Sequence, residues 1–284
     1  MKWRRARKSS NVDDRRGMRS AGGIGSLGLG GIAIVVVISL VLGKDPVEML
    51  GLVSQVTEPA ARSSQPAPIN DEQTAFIASI LGETEDVWSA IFAQSNQRYP
   101  APELVLYSGQ VSTACGFGNS AMGPFYCPAD QKVYLDTGFF DDMRTRLGGG
   151  GDFAEAYVIA HEVGHHIQTI TGSNRAVIDA RRRGQSVEGD DGLLVRQELQ
   201  ADCYSGLWAH HAQARHQWLE PGDIEEALAT ASAIGDDRLQ RQSRGRVVPD
   251  SFTHGTAEQR VRWFRIGFER GRVAACDTFS ASNL

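Results

Sequence analysis

The run His161-Glu162-Val163-Gly164-His165 restricts this chain more than any other stretch. An α-helix turns once per 3.6 residues and rises about 1.5 Å per residue, so histidines at 161 and 165 stand roughly 6 Å apart on one face. Two imidazoles at that spacing can share one tetrahedral Zn²⁺, which neutral imidazole binds at about 2.0 to 2.1 Å, and Glu162 beside the first completes the arrangement H-E-x-x-H. The geometry works only on a helix. The sequence predicts one, because Phe153, Tyr157, Ala160, Gly164 and Ile167 form an apolar stripe, Asp152 with Glu155 resembles a capping box at its start, and Gly172 stops it.

A catalytic zinc keeps three protein ligands and leaves its fourth position to water, so two histidines are incomplete. The missing ligand is sought in Arg196-Gln197-Glu198-Leu199-Gln200-Ala201-Asp202, where Glu198 and Asp202 again lie four apart on one helical face. Glu198 is assigned to the metal and Asp202 to the other ring N–H of His161 or His165. The extended pattern that takes a third histidine from the same segment requires Gly at 168 and His at 171; this chain has Gln168 and Thr171. His166 is turned about 100° from His165, and His210 lies roughly 18 Å along the axis from Glu198, so neither joins the same ion.

Three blocks now stand together: Ala160 to Gln168, Glu198 to Cys203, and His254-Gly255-Thr256 followed by Gln259-Arg260. In this order they resemble the bacterial putative neutral zinc metallopeptidase family, in which such blocks recur behind an N-terminal membrane anchor, and the resemblance spans nearly the whole chain. It implies a zincin-like, gluzincin-like domain with one Zn²⁺ per chain on His161, His165 and Glu198, Glu162 as general base, and a peptide or protein substrate. Zinc lowers the pKa of bound water toward 7; Glu162 can then take its proton and return it to the leaving amine. The developing oxyanion needs one further donor, for which His254 in the turn Thr253-His254-Gly255-Thr256 is the candidate and Tyr204 the alternative. Two rival functions share the motif: a catalytically silent, zinc-stabilised interaction module of the cell envelope, and a metal-dependent amidase of cell-wall peptides. A purely structural site would close its fourth position with His or Cys and would have no use for Glu162.

Residues 1–23 carry Lys2, Arg4, Arg5, Arg7, Lys8, Arg15, Arg16 and Arg19 against Asp13 and Asp14, although the chain as a whole has a net charge of −5. Residues 24–43 then bear no charge, with a dense apolar part from Ile32 to Leu42. Twenty residues make a helix of about 30 Å, enough to cross a bilayer. The expectation is a basic cytoplasmic stub (1–23), a single transmembrane anchor (24–43), and a catalytic domain on the periplasmic or extracellular side of a bacterial membrane. A cleavable signal peptide is the alternative, but Lys44-Asp45-Pro46 offers no small-residue cleavage site. Arg181, Arg182 and Arg183 form too short a run for a nucleic-acid footprint, and a solvated loop is expected there.

All four cysteines follow the apolar stretch, as an oxidising compartment permits. Of three possible pairings we adopt Cys115 with Cys127, closing a short Gly-rich loop, and Cys203 with Cys276; free packed thiols are the alternative. Residues 44–69 hold Pro46, Pro59, Pro66 and Pro68 without periodicity and read as a tether. The domain 70–284 reads as α+β and mostly helical, with a small strand subdomain. One or two helices end before Pro100, strands cover Glu103 to Tyr107 and Lys132 to Asp136, and a short helix covers Phe139 to Leu147. After the motif helix come a polar link over Arg181 to Asp191, a long helix carrying Glu198, another from Asp223, and a last one capped by Thr256 with Gln259. Trp263, Phe264 and Phe268 on the last helix read as core. Lys132 to Asp136 is the candidate edge for an added substrate strand.

Overall fold

The computed structural model describes residues 1–16, 71–145 and 150–284. The anchor read over 24–43 and the tether over 44–69 lie outside the described residues; among those described, no helix is long and apolar enough to cross a membrane. The helices are α1 (Glu72–Ala93), α2 (Gly138–Thr145), α3 (Asp152–Thr171), α4 (Arg175–Arg182), α5 (Leu193–His216), α6 (Asp223–Ala233), α7 (Asp236–Arg244) and α8 (Ala257–Arg270). The strands are β1 (Val12–Asp14), β2 (Glu103–Tyr107), β3 (Gln110–Thr113), β4 (Gly116–Asn119), β5 (Phe125–Cys127) and β6 (Lys132–Asp136). The architecture is therefore a mostly helical α+β fold with two small sheets.

The larger sheet runs β1-β2-β6-β5. β2 and β6 pair in parallel with Leu104 opposite Val133, and β5 runs antiparallel on the far side with Tyr126 opposite Val133. Side chains alternate across a strand with a period of two. Leu104, Leu106, Val133 and Leu135 thus enter the helical core, while Val105, Tyr107 and Tyr134 close a second cluster with Val111 and Cys127 on the opposite face. Both faces are covered, which is why β2 and β6 read as near-continuous apolar runs. Lys132 to Asp136 is consequently not an edge: β6 is flanked by β2 and β5, and the edge strands of the sheet are β1 and β5.

The core is built by α1, α3, α5 and α8. Small residues let α3 and α5 approach closely, since a Cβ on Gly164 would stand 3.0 Å from Ala201 Cα and 3.2 Å from Ala201 Cβ. Gly164 lies within the histidine motif and Ala201 between Glu198 and Asp202, so the closest part of the crossing brings the two acid-and-histidine faces together. Cys203–Cys276 ties α5 to the C-terminal segment and Cys115–Cys127 closes the loop before β6, with Cα separations of 5.5 and 5.8 Å. Thr256 and Gln259 form the expected reciprocal capping box on α8.

Several expectations need correction. Asp152 is the first residue inside α3 rather than its cap: Gly151 at φ 114° takes that position, and the Asp152 carboxylate faces the Met1 ammonium at 2.8 Å. The polar link begins two residues later than expected, because Arg181 and Arg182 finish α4, and α7 was not foreseen at all. The largest correction concerns residues 1–16, which are part of the folded body and not a separate stub. Trp3 is buried edge-on against Phe76, and β1 adds a parallel strand to β2 with Val12 opposite Leu104.

A chain beginning at residue 70 should therefore be much less stable than one retaining residues 1–16. Trp3→Ala alone is expected to cost about 3 kcal/mol or more, as truncation of a buried tryptophan does. Thermal and denaturant unfolding compare them; equal melting of the 70–284 chain and the full chain would show the segment to be dispensable.

Candidate metal centre and its cleft

His161, His165 and Glu198 converge at the α3/α5 crossing, with one donor atom from each lying within 4.8 Å of the others. Glu198 Oε2 is 3.1 Å from His161 Nε2 and 3.4 Å from His165 Nε2. Tetrahedral bonds of about 2.05 Å place neighbouring ligand atoms about 3.3 Å apart, so this donor set fits a zinc ion without rearrangement of the backbone. Two nitrogens and one carboxylate oxygen are also the ligand types zinc takes when a position is kept open.

The outer nitrogens of both rings are held, and the partners fix which nitrogen carries the proton. His161 Nδ1 donates to Asp202 Oδ1 at 2.9 Å. His165 Nδ1 donates to Gln168 Oε1 at 2.9 Å, and the Gln168 amide is oriented by its own donation to the Gln197 carbonyl at 2.6 Å. With Nδ1 of each ring committed to its partner, Nε2 is the nitrogen that would ligate a metal.

Asp202 is fully buried and carries more than a histidine. Its Oδ1 also accepts from Tyr157 Oη at 2.5 Å, and Arg260 of α8 donates through Nη2 to Oδ1 and through Nε to Oδ2, each at 2.9 Å. Burial alone would raise its pKa, but Arg260 and then His161 outweigh that and hold it below the ordinary carboxylate value. In His161 burial opposes the charged ring, yet Asp202 and Glu198 push the pKa up to about 10. Glu198 is likewise driven up by burial and held well below the carboxylate range by His165 and His161. These directions describe a strongly basic pair of nitrogens facing an ionised carboxylate, an environment suited to a divalent cation.

Glu162 is 7% exposed and faces the same cleft, and burial raises its pKa above the usual carboxylate value. The cleft measures about 730 Å³ and is walled on one side by Pro124, Phe125 and Tyr126 of the β5 region and on the other by His254 and Arg260. His254 sits in a turn that the Asp236 carboxylate holds: Oδ2 accepts the backbone N–H of Thr253 and of His254 at 2.6 Å and of Gly255 at 3.2 Å. The ring's Nδ1 lies 2.8 Å from Thr253 Oγ1 and 3.3 Å from Asp236 Oδ1, so Nε2 is the nitrogen left to the cleft.

Other candidates fall elsewhere. Tyr204 is buried edge-on against Trp88 and does not line the cleft. His166 points away from the ligands, donating to the Pro100 carbonyl at 2.6 Å and accepting from Tyr126 Oη at 3.1 Å. His210 bonds the Phe268 carbonyl at 2.7 Å, and Trp263 and Phe264 are core. Arg181 is exposed as expected, but it lies at the end of α4 and lines the cleft. Sequence reasoning passed over Gln168, Tyr157, Arg260 and Asp236 as site residues. Gln168 was visible as one helical turn beyond His165; Asp236 heads an unforeseen helix and gave no such signal.

The family model described as putative neutral zinc metallopeptidase matches residues 1–279. The uncharacterized protein YpfJ of Escherichia coli strain K12 is 48% identical over 289 residues, covering 99% of this chain and 100% of its own. The uncharacterized proteins Mb2605 of Mycobacterium bovis and Rv2575 of Mycobacterium tuberculosis are each 42% identical over 264 residues, 87% of this chain and 86% of theirs. No solved structure matches the chain.

Replacing Asp202 with Asn removes the charge that orients His161 and neutralises Arg260. Zinc affinity, read by competition with a chelator on the folded variant, should fall about 10- to 100-fold. Unchanged affinity would separate this network from the centre.

Proposed function

We propose that this chain, which belongs to the putative neutral zinc metallopeptidase family, hydrolyses peptide bonds with Glu162 as general base and His161, His165 and Glu198 as the zinc ligands. The observation that carries the reading is a buried glutamate beside a three-ligand, open-sided donor set at the floor of a cleft. A metal held only for stability has no need of such a base, whereas a hydrolase does.

When bound, zinc supplies Lewis acidity, polarising a carbonyl and acidifying water. Glu162 accepts the proton of the attacking water and delivers it to the departing amine. His254 Nε2 donates to the carbonyl oxygen as it gains charge, with Asp236 fixing the turn that presents the ring. Tyr157 and Arg260 act on Asp202 and so keep His161 in register.

A peptide suits the cleft in shape as well as chemistry. The free edge of β5 borders it, and an extended backbone laid along that edge can pair as an added strand while Phe125, Tyr126 and Phe139 receive side chains. Two disulfides support work in an oxidising compartment outside the cytoplasm.

Glu162→Gln should retain zinc and the wild-type melting temperature yet lose hydrolysis of a generic protein substrate; activity at the wild-type level would falsify the base assignment. His254→Ala should lower kcat by about 10²- to 10³-fold with zinc content unchanged, the effect of deleting one oxyanion donor. Asp236→Asn should shift kcat in the same direction with KM little affected; loss of zinc from either variant would mean that the turn serves the metal instead.

A further inference from the structure

The charge-free stretch 24–43 has the same folded body on both of its flanks. Residues 1–16 enter that body through several separate sets of contacts. Trp3 packs in the core against Phe76, with ring centroids 5.5 Å apart. Glu85 of α1, 7% exposed, accepts from Ser9 Oγ at 2.5 Å and from Asn11 Nδ2 and Arg7 Nη2 at 2.7 Å. β1 then continues the sheet beside β2.

The body is shaped to receive this segment. A Cβ on Gly82 of α1 would stand 2.2 Å from the Arg7 carbonyl oxygen, so the N-terminal backbone passes where only glycine leaves room. Arg16, the last residue described before the stretch, is buried and donates to Asp14 Oδ2 at 2.6 Å, Thr74 Oγ1 at 2.5 Å and Asp71 Oδ2 at 3.2 Å. Asp71 is the first residue described after the stretch, so the chain leaves the body and returns to it at one place.

We propose that residues 1–16 and 71–284 lie on the same side of any membrane that the chain meets. A single span would part its flanks by about 30 Å of hydrocarbon. Paired strands stand about 4.8 Å apart. The two requirements are incompatible, and the sheet pairing is supported by the buried Trp3 and by the ion pairs of Arg7 with Glu85 and of Arg16 with Asp71.

Four of the eight basic residues that suggested a cytoplasmic stub are paired with acids within the fold: Arg4 with Glu72, Arg7 with Glu85 and Asp86, Arg15 with Asp13, and Arg16 with Asp14 and Asp71. The excess of positive charge that would orient a span is therefore partly matched by acids of the same body.

The test uses the full chain in membranes. Arg4→Cys and Glu72→Cys are made singly and together; both native side chains are about 70% exposed (70% and 71%), and the four native cysteines are paired. A membrane-impermeant maleimide is applied to spheroplasts before and after detergent. Both single variants should behave alike, labelled before detergent or only after it, and a short bis-maleimide should bridge the double variant and alter its mobility on a denaturing gel. One site labelled while the other is protected until detergent is added would overturn the proposal. So would failure to bridge with both thiols reactive.

Discussion

The centre depends on one buried carboxylate. Asp202 lies where α3, α5 and α8 meet, and it accepts from a ligand histidine of the first, with Tyr157 beside it, and from Arg260 of the third. An isolated charge there would be driven to neutralise itself; here Oδ1 accepts three hydrogen bonds and Oδ2 one, and the guanidinium offsets the charge. One group thereby aligns His161, sets its tautomer and fastens α8 to the pair of helices that form the floor of the cleft. Removal of Asp202 would leave Arg260 buried without a counter-ion, so fold and centre are coupled at this point.

The close approach of α3 and α5 supplies the second constraint. Because Gly164 and Ala201 leave almost no side-chain volume between the helices, Glu198 comes within reach of the ion that His161 and His165 would share, and Asp202 comes within reach of the His161 ring. Specificity is then left to the surroundings of that floor. The β5 edge and its aromatic residues make one wall, and the turn held by Asp236 makes the other.

Much of the centre was legible in the sequence because helical spacing is a local property. The positions 161, 162 and 165, and 198 with 202, follow from 3.6 residues per turn, and Gln168 and Thr171 exclude the longer histidine pattern as a rival source of the third ligand. The strands at 103–107 and 132–136 were equally plain, being apolar runs between turn residues. Their order was not, since pairing depends on contacts between distant segments: β6 reads as an edge until β5 is seen beside it. Residues 1–16 were misread for a related reason. A basic segment before an apolar stretch has the composition of a cytoplasmic stub, and only the acids of α1 and the groove at Gly82 show that the segment has a place in the fold. Asp236 was missed because the orienting role of a carboxylate cannot be read until the turn it holds has been built.

Zinc K-edge X-ray absorption of the purified, metal-loaded full chain tests the account most directly. It predicts four light-atom ligands at about 2.0 to 2.1 Å with the multiple-scattering pattern of two imidazoles, and a pattern reduced to one imidazole in His161→Ala. A sulfur shell near 2.3 Å, or a first shell unchanged by that substitution, would contradict the centre described above.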